Sequence, residues 1–226
     1  MDFSAPRARL ISHLRSQIKD ERVLSAMATI PRELFVPPDQ RLLAYEDIPL
    51  PIGLGQTISQ PLIVGLMAQA LELTGREKVL EVGTGSGYHA AVLSCLARQV
   101  ITVERLPALA ETAKKVLYIL GYDNVVVHTA GETLGWLEEA PYDAILVAAA
   151  APGVPSDLVA QLAIGGRMVI PAGSLYAQDL YKITRQMEQN KVEDLGGCRF
   201  VSLIGKGAWE AEKGIGDNSG RTQLRG

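Results

Sequence analysis

The chain has 226 residues, of which 47% are apolar and 21% are charged, and its net charge is −3. This length and composition are ordinary for one globular domain with a substantial core. The chain has no dense run of Lys or Arg and no apolar run near ~18 residues, so we expect neither a nucleic-acid surface nor a membrane span. Two isolated cysteines and no signal-peptide pattern predict a cytoplasmic protein without a metal site.

Two helices are predicted at the start of the chain. Apolar residues at helical spacing predict an amphipathic helix over residues 5–19. Asp20 is placed to cap a second helix that stops near Pro31. Residues 32–51 contain several prolines and are predicted to be irregular.

A loop that combines glycine, hydroxyl and proline residues follows at residues 50–61. Pro61 suits the first turn of a helix, which is predicted to run to Gly75. Ser59 or Gln60 would then be its N-cap residue. We expect backbone N–H groups at this helix start to be donors to a ligand.

The next apolar strand ends in a glycine turn, in the segment VLEVGTGSGY at residues 79–88. Its glycines, Gly83, Gly85 and Gly87, reach φ > 0 cheaply and have no Cβ, so the turn can lie close against a ligand. A helical apolar pattern continues over residues 89–97. Strand, glycine turn and helix are typical of the nucleotide corner of a doubly wound α/β sheet.

Two acids indicate which ligand this corner takes. Glu81 lies two residues before the first glycine, and Glu104 ends the next apolar run, roughly 20 residues past the turn. A pyrophosphate would be repelled by Glu81, and the G-x-G-x-G spacing lacks the third glycine of the dinucleotide fingerprint. S-adenosylmethionine carries cationic amino and sulfonium groups, and Glu104 is placed to accept its ribose hydroxyls. The alternative is that both acids are solvated surface charges.

The rest of the chain alternates strands and helices. A helix is predicted from Pro107 to Leu120, with Gly121 closing it. Further elements are predicted in chain order as a strand at 125–127, a short helix at 133–139, a strand at 144–147, a helix at 155–162, a strand at 168–170, and late strands at 179–187 and 198–205. The late strands are expected to include an antiparallel edge. Residues 211–226 have little apolar content and are predicted to be a flexible tail.

Several segments of the chain resemble the protein-L-isoaspartate O-methyltransferase family. The most specific is PIGLGQTISQP at residues 51–61, followed by the glycine turn at 79–88. Further matching segments are residues 23–36, 103–105, 140–145, 148–152, 161–162, 165–171 and 199–203. The resemblance spans residues 8–210. It implies a doubly wound, Rossmann-like α/β methyltransferase fold with an N-terminal helical extension and a mixed sheet that ends in antiparallel strands.

The resemblance also implies a domain organisation and an activity. Residues 1–210 would form one domain, with a helical and substrate-loop region at 1–75 and a cofactor-binding core at 76–210. The family transfers a methyl group from S-adenosylmethionine to the free α-carboxylate of L-isoaspartyl residues in damaged proteins, which starts their repair through a succinimide. We expect damaged proteins and peptides as partners and a monomer. The alternatives are a methyltransferase of the same fold acting on a small molecule and a non-catalytic cofactor-binding relative.

On the substrate side, the family's active-site serine matches Ser59, which we interpret as orienting the carboxylate together with Thr57. A carboxylate is already ionised at neutral pH, so it needs no general base and no serine nucleophile. The remaining substrate-binding residues implied by the resemblance are Ile58, Gln60, Val201 and Ser202. The family usually has proline at the position of Ser202.

On the cofactor side, the resemblance and the two acids implicate residues from three strand ends. They are Glu81, Gly83, Thr84, Gly85, Ser86, Glu104, Arg105, Gly131 and Glu132. Glu132 stands where the family usually has aspartate, and its carboxylate would accept the adenine amino group. His89 follows the glycine turn and is expected to be a solvated residue of the first helical turn, the alternative being that it touches the cofactor.

Overall fold

The structure is a computed structural model and describes residues 2–210. The predicted tail at residues 211–226 lies outside the described residues. The helices are α1 (Ser4–Leu14), α2 (Glu21–Thr29), α3 (Pro61–Ala70), α4 (Tyr88–Ser94), α5 (Pro107–Ile119) and α6 (Ser156–Ala160), with 3-10 turns at Arg32–Leu34, Pro38–Leu43 and Leu137–Glu139. The strands are β1 (Leu50–Gly53), β2 (Gln56–Ile58), β3 (Lys78–Val82), β4 (Gln99–Glu104), β5 (Val125–Thr129), β6 (Tyr142–Val147), β7 (Leu162–Gly173), β8 (Gln178–Thr184) and β9 (Lys191–Cys198).

The centre of the fold is a seven-stranded sheet of order β5-β4-β3-β6-β7-β8-β9. Strands β3 to β7 are parallel, while β7, β8 and β9 pair antiparallel. Because the strand order reverses between β3 and β6, a crevice opens outside the carboxyl ends of these strands, where doubly wound sheets bind ligands. The predicted doubly wound α/β fold with a mixed sheet is confirmed.

Each face of the sheet carries its own apolar core. Alternate residues of β3 point to opposite faces, so Val79 joins one core and Leu80 the other. The first core also takes the apolar sides of α1, α2 and α3, which form the predicted N-terminal helical extension. None of the helices within residues 2–210 is long and apolar enough to span a membrane.

The first helix ends earlier than predicted. α1 ends at Leu14 rather than near residue 19. The backbone N–H groups of Lys19 and Asp20 instead donate to the side-chain oxygen of Gln69 in α3. These hydrogen bonds hold residues 19 and 20 against α3. Asp20 then caps α2, as predicted, by accepting from the N–H of Arg22 at 2.9 Å.

The segment from residue 50 to residue 75 contains more structure than predicted. Residues 50–58 form an antiparallel hairpin of β1 and β2, rather than a loop. α3 begins at Pro61 as predicted but ends at Ala70 instead of Gly75. Two residues later Glu72 has a left-handed φ of 50°, which a continuing α-helix cannot include.

Two later predictions are wrong in placement. Residues 133–139 form only a 3-10 turn at Leu137–Glu139, because Gly135 is left-handed and the N–H of Trp136 is bound by the side chain of Gln161. The last strand is Lys191–Cys198, not 198–205. Residues 199–205 instead cross the carboxyl edge of the sheet and touch it through an isolated bridge between Ser202 and Ala150.

Candidate active site

A cavity of about 250 Å³ opens where the strand order of the sheet reverses. Its walls are the β1–β2 hairpin with the start of α3, the glycine turn after β3, the turn after β4, the loop after β5 and residues 201–205. These segments are far apart in sequence, and the parallel strands bring them together because the carboxyl ends of parallel strands share one edge.

Most of the predicted site residues line this one cavity. They are Thr57, Ile58, Ser59, Gly83, Thr84, Gly85, Ser86, Glu104, Arg105, Gly131, Glu132, Val201 and Ser202. Two predicted residues are not among its lining residues. Glu81 lies within the sheet, and the side chain of Gln60 donates to Asp47 at 3.0 Å.

The glycine turn is held against the cavity by backbone geometry. Gly83 and Gly85 have φ values of 98° and 54°, in the region that favours glycine. A Cβ at Gly83 would lie 3.5 Å from Ala148, and one at Gly85 would lie 3.5 Å from Ile52 of the hairpin. The hairpin therefore packs against the turn, and the two form one wall of the cavity.

Glu104 holds together the turns after β3 and β4, on the predicted cofactor side of the cavity. Its side chain is 7% exposed, and each of its oxygens accepts one backbone N–H at 2.9 Å, from Gly85 and from Leu106. A carboxylate oxygen has two lone pairs, so each oxygen keeps one for a ligand hydroxyl. The alternative that Glu104 is a solvated surface charge is wrong.

Glu81 is completely buried beneath the glycine turn. One oxygen accepts from the hydroxyl of Thr102 at 2.5 Å, and that hydroxyl lies 2.6 Å from the hydroxyl of Thr84. The other oxygen, Oε1, has no hydrogen-bond partner among the described residues. Burial raises the pKa of Glu81 to about 8, and the nearby charge of Glu104 adds to the shift. Glu81 is therefore not a solvated strand-end charge either.

The two acids fit the cationic cofactor that the sequence predicts. An unpartnered buried carboxylate oxygen needs a donor or a positive charge, and a neighbouring cation lowers the pKa of a carboxyl group. Glu81 and Glu104 thus make one side of the site favourable to amino and sulfonium groups and unfavourable to a phosphate. No group of three or more His, Cys, Asp or Glu side chains that could hold a metal ion occurs within residues 2–210.

The predicted substrate side of the cavity is formed by the end of β2 and the residues before α3. Thr57 is exposed and Ser59 is half-buried. The N–H of Leu62, in the first turn of α3, donates to Asp47 at 2.8 Å. The expectation that the helix start offers free N–H donors is therefore wrong for Leu62, and Pro61 has no N–H. The hydroxyls of Thr57 and Ser59 are side-chain donors at this end of the cavity.

Sequence reasoning missed the buried group behind Ser59, which consists of Arg32, Tyr88 and His89. Arg32 is completely buried and donates to the backbone oxygen of Ser59 at 2.9 Å. The prediction that His89 is solvated is wrong: His89 is 7% exposed and lines the cavity. Burial, with the charge of Arg32, lowers its pKa to about 3, so it is neutral at physiological pH. Nothing in the local pattern around Arg32 distinguishes it from a surface residue, whereas the position of His89 directly after the glycine turn is a signal that it could reach the site.

The comparisons with known proteins agree with this geometry. The family model "Protein-L-isoaspartate(D-aspartate) O-methyltransferase (PCMT)" matches residues 5–208. A protein-L-isoaspartate O-methyltransferase from Syntrophus aciditrophicus (strain SB) is 52% identical over 212 residues, covering 92% of this chain and 97% of the relative. One from Geobacter metallireducens is 50% identical over 216 residues, covering 94% of this chain and 100% of the relative.

A solved structure of a protein-L-isoaspartate O-methyltransferase superposes with a TM-score of 0.80 at 29% identity, covering 89% of this chain and 67% of that chain. The matched family region includes nearly all the described residues. The chain therefore belongs to the protein-L-isoaspartate O-methyltransferase family.

Proposed function

We propose that the protein transfers a methyl group from S-adenosylmethionine to the free α-carboxylate of L-isoaspartyl residues in damaged proteins and peptides. The observation that carries this proposal is that the Thr57–Ser59 hydroxyls and the acid-backed glycine turn line one cavity. The resulting methyl ester closes to a succinimide without the enzyme, and hydrolysis returns some normal aspartyl residues. A small-molecule methyltransferase would share the glycine turn and Glu104, but it would have no need of the hairpin residues 51–61.

The cofactor side of the cavity binds and orients the methyl donor. Bound S-adenosylmethionine supplies an electrophilic methyl group on a sulfonium. We assign its ribose hydroxyls to Glu104 and its adenine amino group to Glu132, and the buried carboxyl group of Glu81, whose pKa a neighbouring cation lowers, favours its cationic end. The other residues that we assign to the cofactor are Gly83, Thr84, Gly85, Ser86, Arg105 and Gly131.

On the opposite side, this chain's residues hold the carboxylate in line with the methyl group. We assign the orienting hydrogen bonds to the hydroxyls of Ser59 and Thr57, with Ile58, Val201 and Ser202 against the peptide. A carboxylate is ionised at neutral pH, so the site needs no base, and His89 remains neutral. Gln60 acts indirectly, through its hydrogen bond to Asp47. Catalysis is then mainly positioning in a site shielded from water.

The wider organisation follows from this assignment. We propose one domain over residues 1–210, in which residues 1–75 supply the substrate side and residues 76–210 the cofactor side. The binding partners are damaged proteins and peptides rather than nucleic acid or membrane, and the protein acts as a cytoplasmic monomer. The net charge of −3 supports the exclusion of a nucleic-acid partner.

Methyl transfer to a matched pair of peptides tests the proposed function. One peptide carries an isoaspartyl residue at a single site and the other a normal aspartyl residue there. With labelled S-adenosylmethionine, we expect label only in the isoaspartyl peptide. If the cofactor binds and neither peptide is labelled, the small-molecule or non-catalytic alternative replaces this proposal.

The variant Ser59→Ala tests the orienting role of the hydroxyl. We expect kcat/KM for the isoaspartyl peptide to fall about 5- to 10-fold, because one hydrogen bond of about 1 kcal/mol is lost. The affinity for S-adenosylmethionine, measured by calorimetry, should stay within about twofold of wild type. Ser16→Ala, whose hydroxyl bonds only within its own turn, is the control. A large loss of cofactor affinity in Ser59→Ala would contradict the orienting role.

A further inference from the structure

Arg32 is a buried cation with incomplete hydrogen bonding. Its side chain is completely buried, and it donates from Nε to the backbone oxygen of Ala44 at 2.8 Å and from Nη2 to that of Ser59 at 2.9 Å. The third nitrogen, Nη1, has no partner in the described part of the chain. A buried charge is normally paired, because removing it from water costs several kcal/mol.

The groups around Arg32 do not neutralise it. Its guanidinium carbon lies 4.7 Å from the ring centroid of Tyr88, which is a cation–π contact without charge. Asp47 attracts Arg32 through space. However, its oxygens bind the N–H of Leu62 and the side chain of Gln60, and Asp47 forms no ion pair with Arg32. His89, also beside Arg32, is neutral.

The site is therefore polarised from one side to the other. Glu104 places negative charge on the cofactor side, whereas Arg32 places a positive charge directly behind Ser59. In a water-poor region, charges interact more strongly than in bulk water. A carboxylate that arrives at Ser59 would supply the counter-charge that Arg32 otherwise lacks, while a neutral ester there would not.

We propose that Arg32 is a positioning residue that attracts the substrate carboxylate from behind Ser59 and makes the site prefer the carboxylate over its neutral methyl ester. This inference rests on the proposed function. Arg32 does not line the cavity, so it acts through its hydrogen bond to the Ser59 backbone and through its charge. Methyl transfer removes the negative charge of the carboxylate, so the same charge that favours substrate binding ceases to hold the product.

Two peptides that differ by one charge test this role. The first carries an isoaspartyl residue, and the second has its α-carboxylate replaced by a primary amide, which is neutral and of similar size. We expect Arg32→Gln to raise KM for the first peptide about tenfold or more, with a smaller change in kcat. Inhibition by the amide peptide should be nearly unchanged. Arg32→Lys should keep most of the preference for the carboxylate, because it keeps the charge.

The control for loss of a charge is Arg41→Gln, an exposed position in the neighbouring 3-10 turn, and it should leave all these values unchanged. If Arg32→Gln weakened the binding of both peptides equally, or lowered the cofactor affinity, Arg32 would have a structural role only and the inference would be overturned.

A wild-type measurement covers the case in which the variant does not fold. A buried charge is screened little by salt, so the wild-type preference for carboxylate over amide should persist at high salt, and its disappearance would also overturn the inference.

The two proposals fail differently. If the wild-type protein does not methylate the isoaspartyl peptide, the proposed function is wrong. If it does, and Arg32→Gln retains the full preference for carboxylate over amide, only the role of Arg32 is wrong.

Discussion

Glu81→Gln is expected to raise the free energy of unfolding of the cofactor-free protein at pH 7.5 by on the order of 3 kcal/mol. The pKa of Glu81 is about 8 in the folded protein, against 4.5 for a solvated glutamate. At a pH between these two pKa values, the Glu81 carboxyl group is ionised in the unfolded chain but still protonated in the folded protein. The wild type therefore loses stability as the pH rises from about 4.5 to about 8, and a glutamine at this position does not.

Unfolding by urea at pH 5, 6.5 and 8 measures this effect. The difference in free energy of unfolding between Glu81→Gln and wild type should be small at pH 5 and should grow by about 1.4 kcal/mol per pH unit towards pH 8. Glu138→Gln, an exposed position, is the matched control and should show no such growth. A difference between Glu81→Gln and wild type that does not change with pH would show that the buried carboxyl group is not the cause.

Glu104→Ala is expected to weaken the binding of S-adenosylmethionine by about 10- to 150-fold, which corresponds to about 1.5–3 kcal/mol for hydrogen bonds to a charged group. Besides its proposed ribose contacts, Glu104 accepts the N–H groups of Gly85 and Leu106, so its loss also releases the two turns that shape the site. Calorimetric titration with the cofactor measures the change.

Two further variants separate ligand contacts from the support of the turns. Glu104→Gln keeps one carbonyl acceptor but places an amide donor near an N–H, so we expect an affinity between those of wild type and Glu104→Ala. Glu111→Ala removes an exposed acid on α5 and should bind the cofactor as wild type does. Unchanged affinity in Glu104→Ala would remove this residue from the cofactor site.

Local signals in the sequence were enough to predict the cofactor corner. The apolar run of β3, the glycine turn and Glu104 at the end of β4 are each defined by residues close in sequence. Parallel strands then bring Glu104 to the glycine turn whatever the rest of the chain does, because their carboxyl ends share an edge. The cap of α2 by Asp20 was predictable for the same reason, since a cap involves only neighbouring residues.

The last strand shows where local patterns fail. Lys191–Cys198 contains two acids and two glycines and lies at the sheet edge, so it lacks the alternating apolar pattern that identifies a half-buried strand. Residues 198–205 carry that pattern better, but their apolar side chains pack across the carboxyl edge of the sheet. Whether an apolar stretch pairs with the sheet as a strand or packs across its edge depends on which positions the rest of the fold leaves unoccupied.

By itself, the sequence determined the fold class, the glycine turn with its two acids, and the Thr57–Ser59 loop. Tertiary structure alone decided the electrostatics behind these residues. It buried Glu81 completely, and it placed Arg32 and neutral His89 behind Ser59. These two residues lie about 30 residues before and about 30 residues after Ser59 along the chain. Burial and pairing of a charge depend on which distant segments cover it, and no pattern in the neighbouring residues records that.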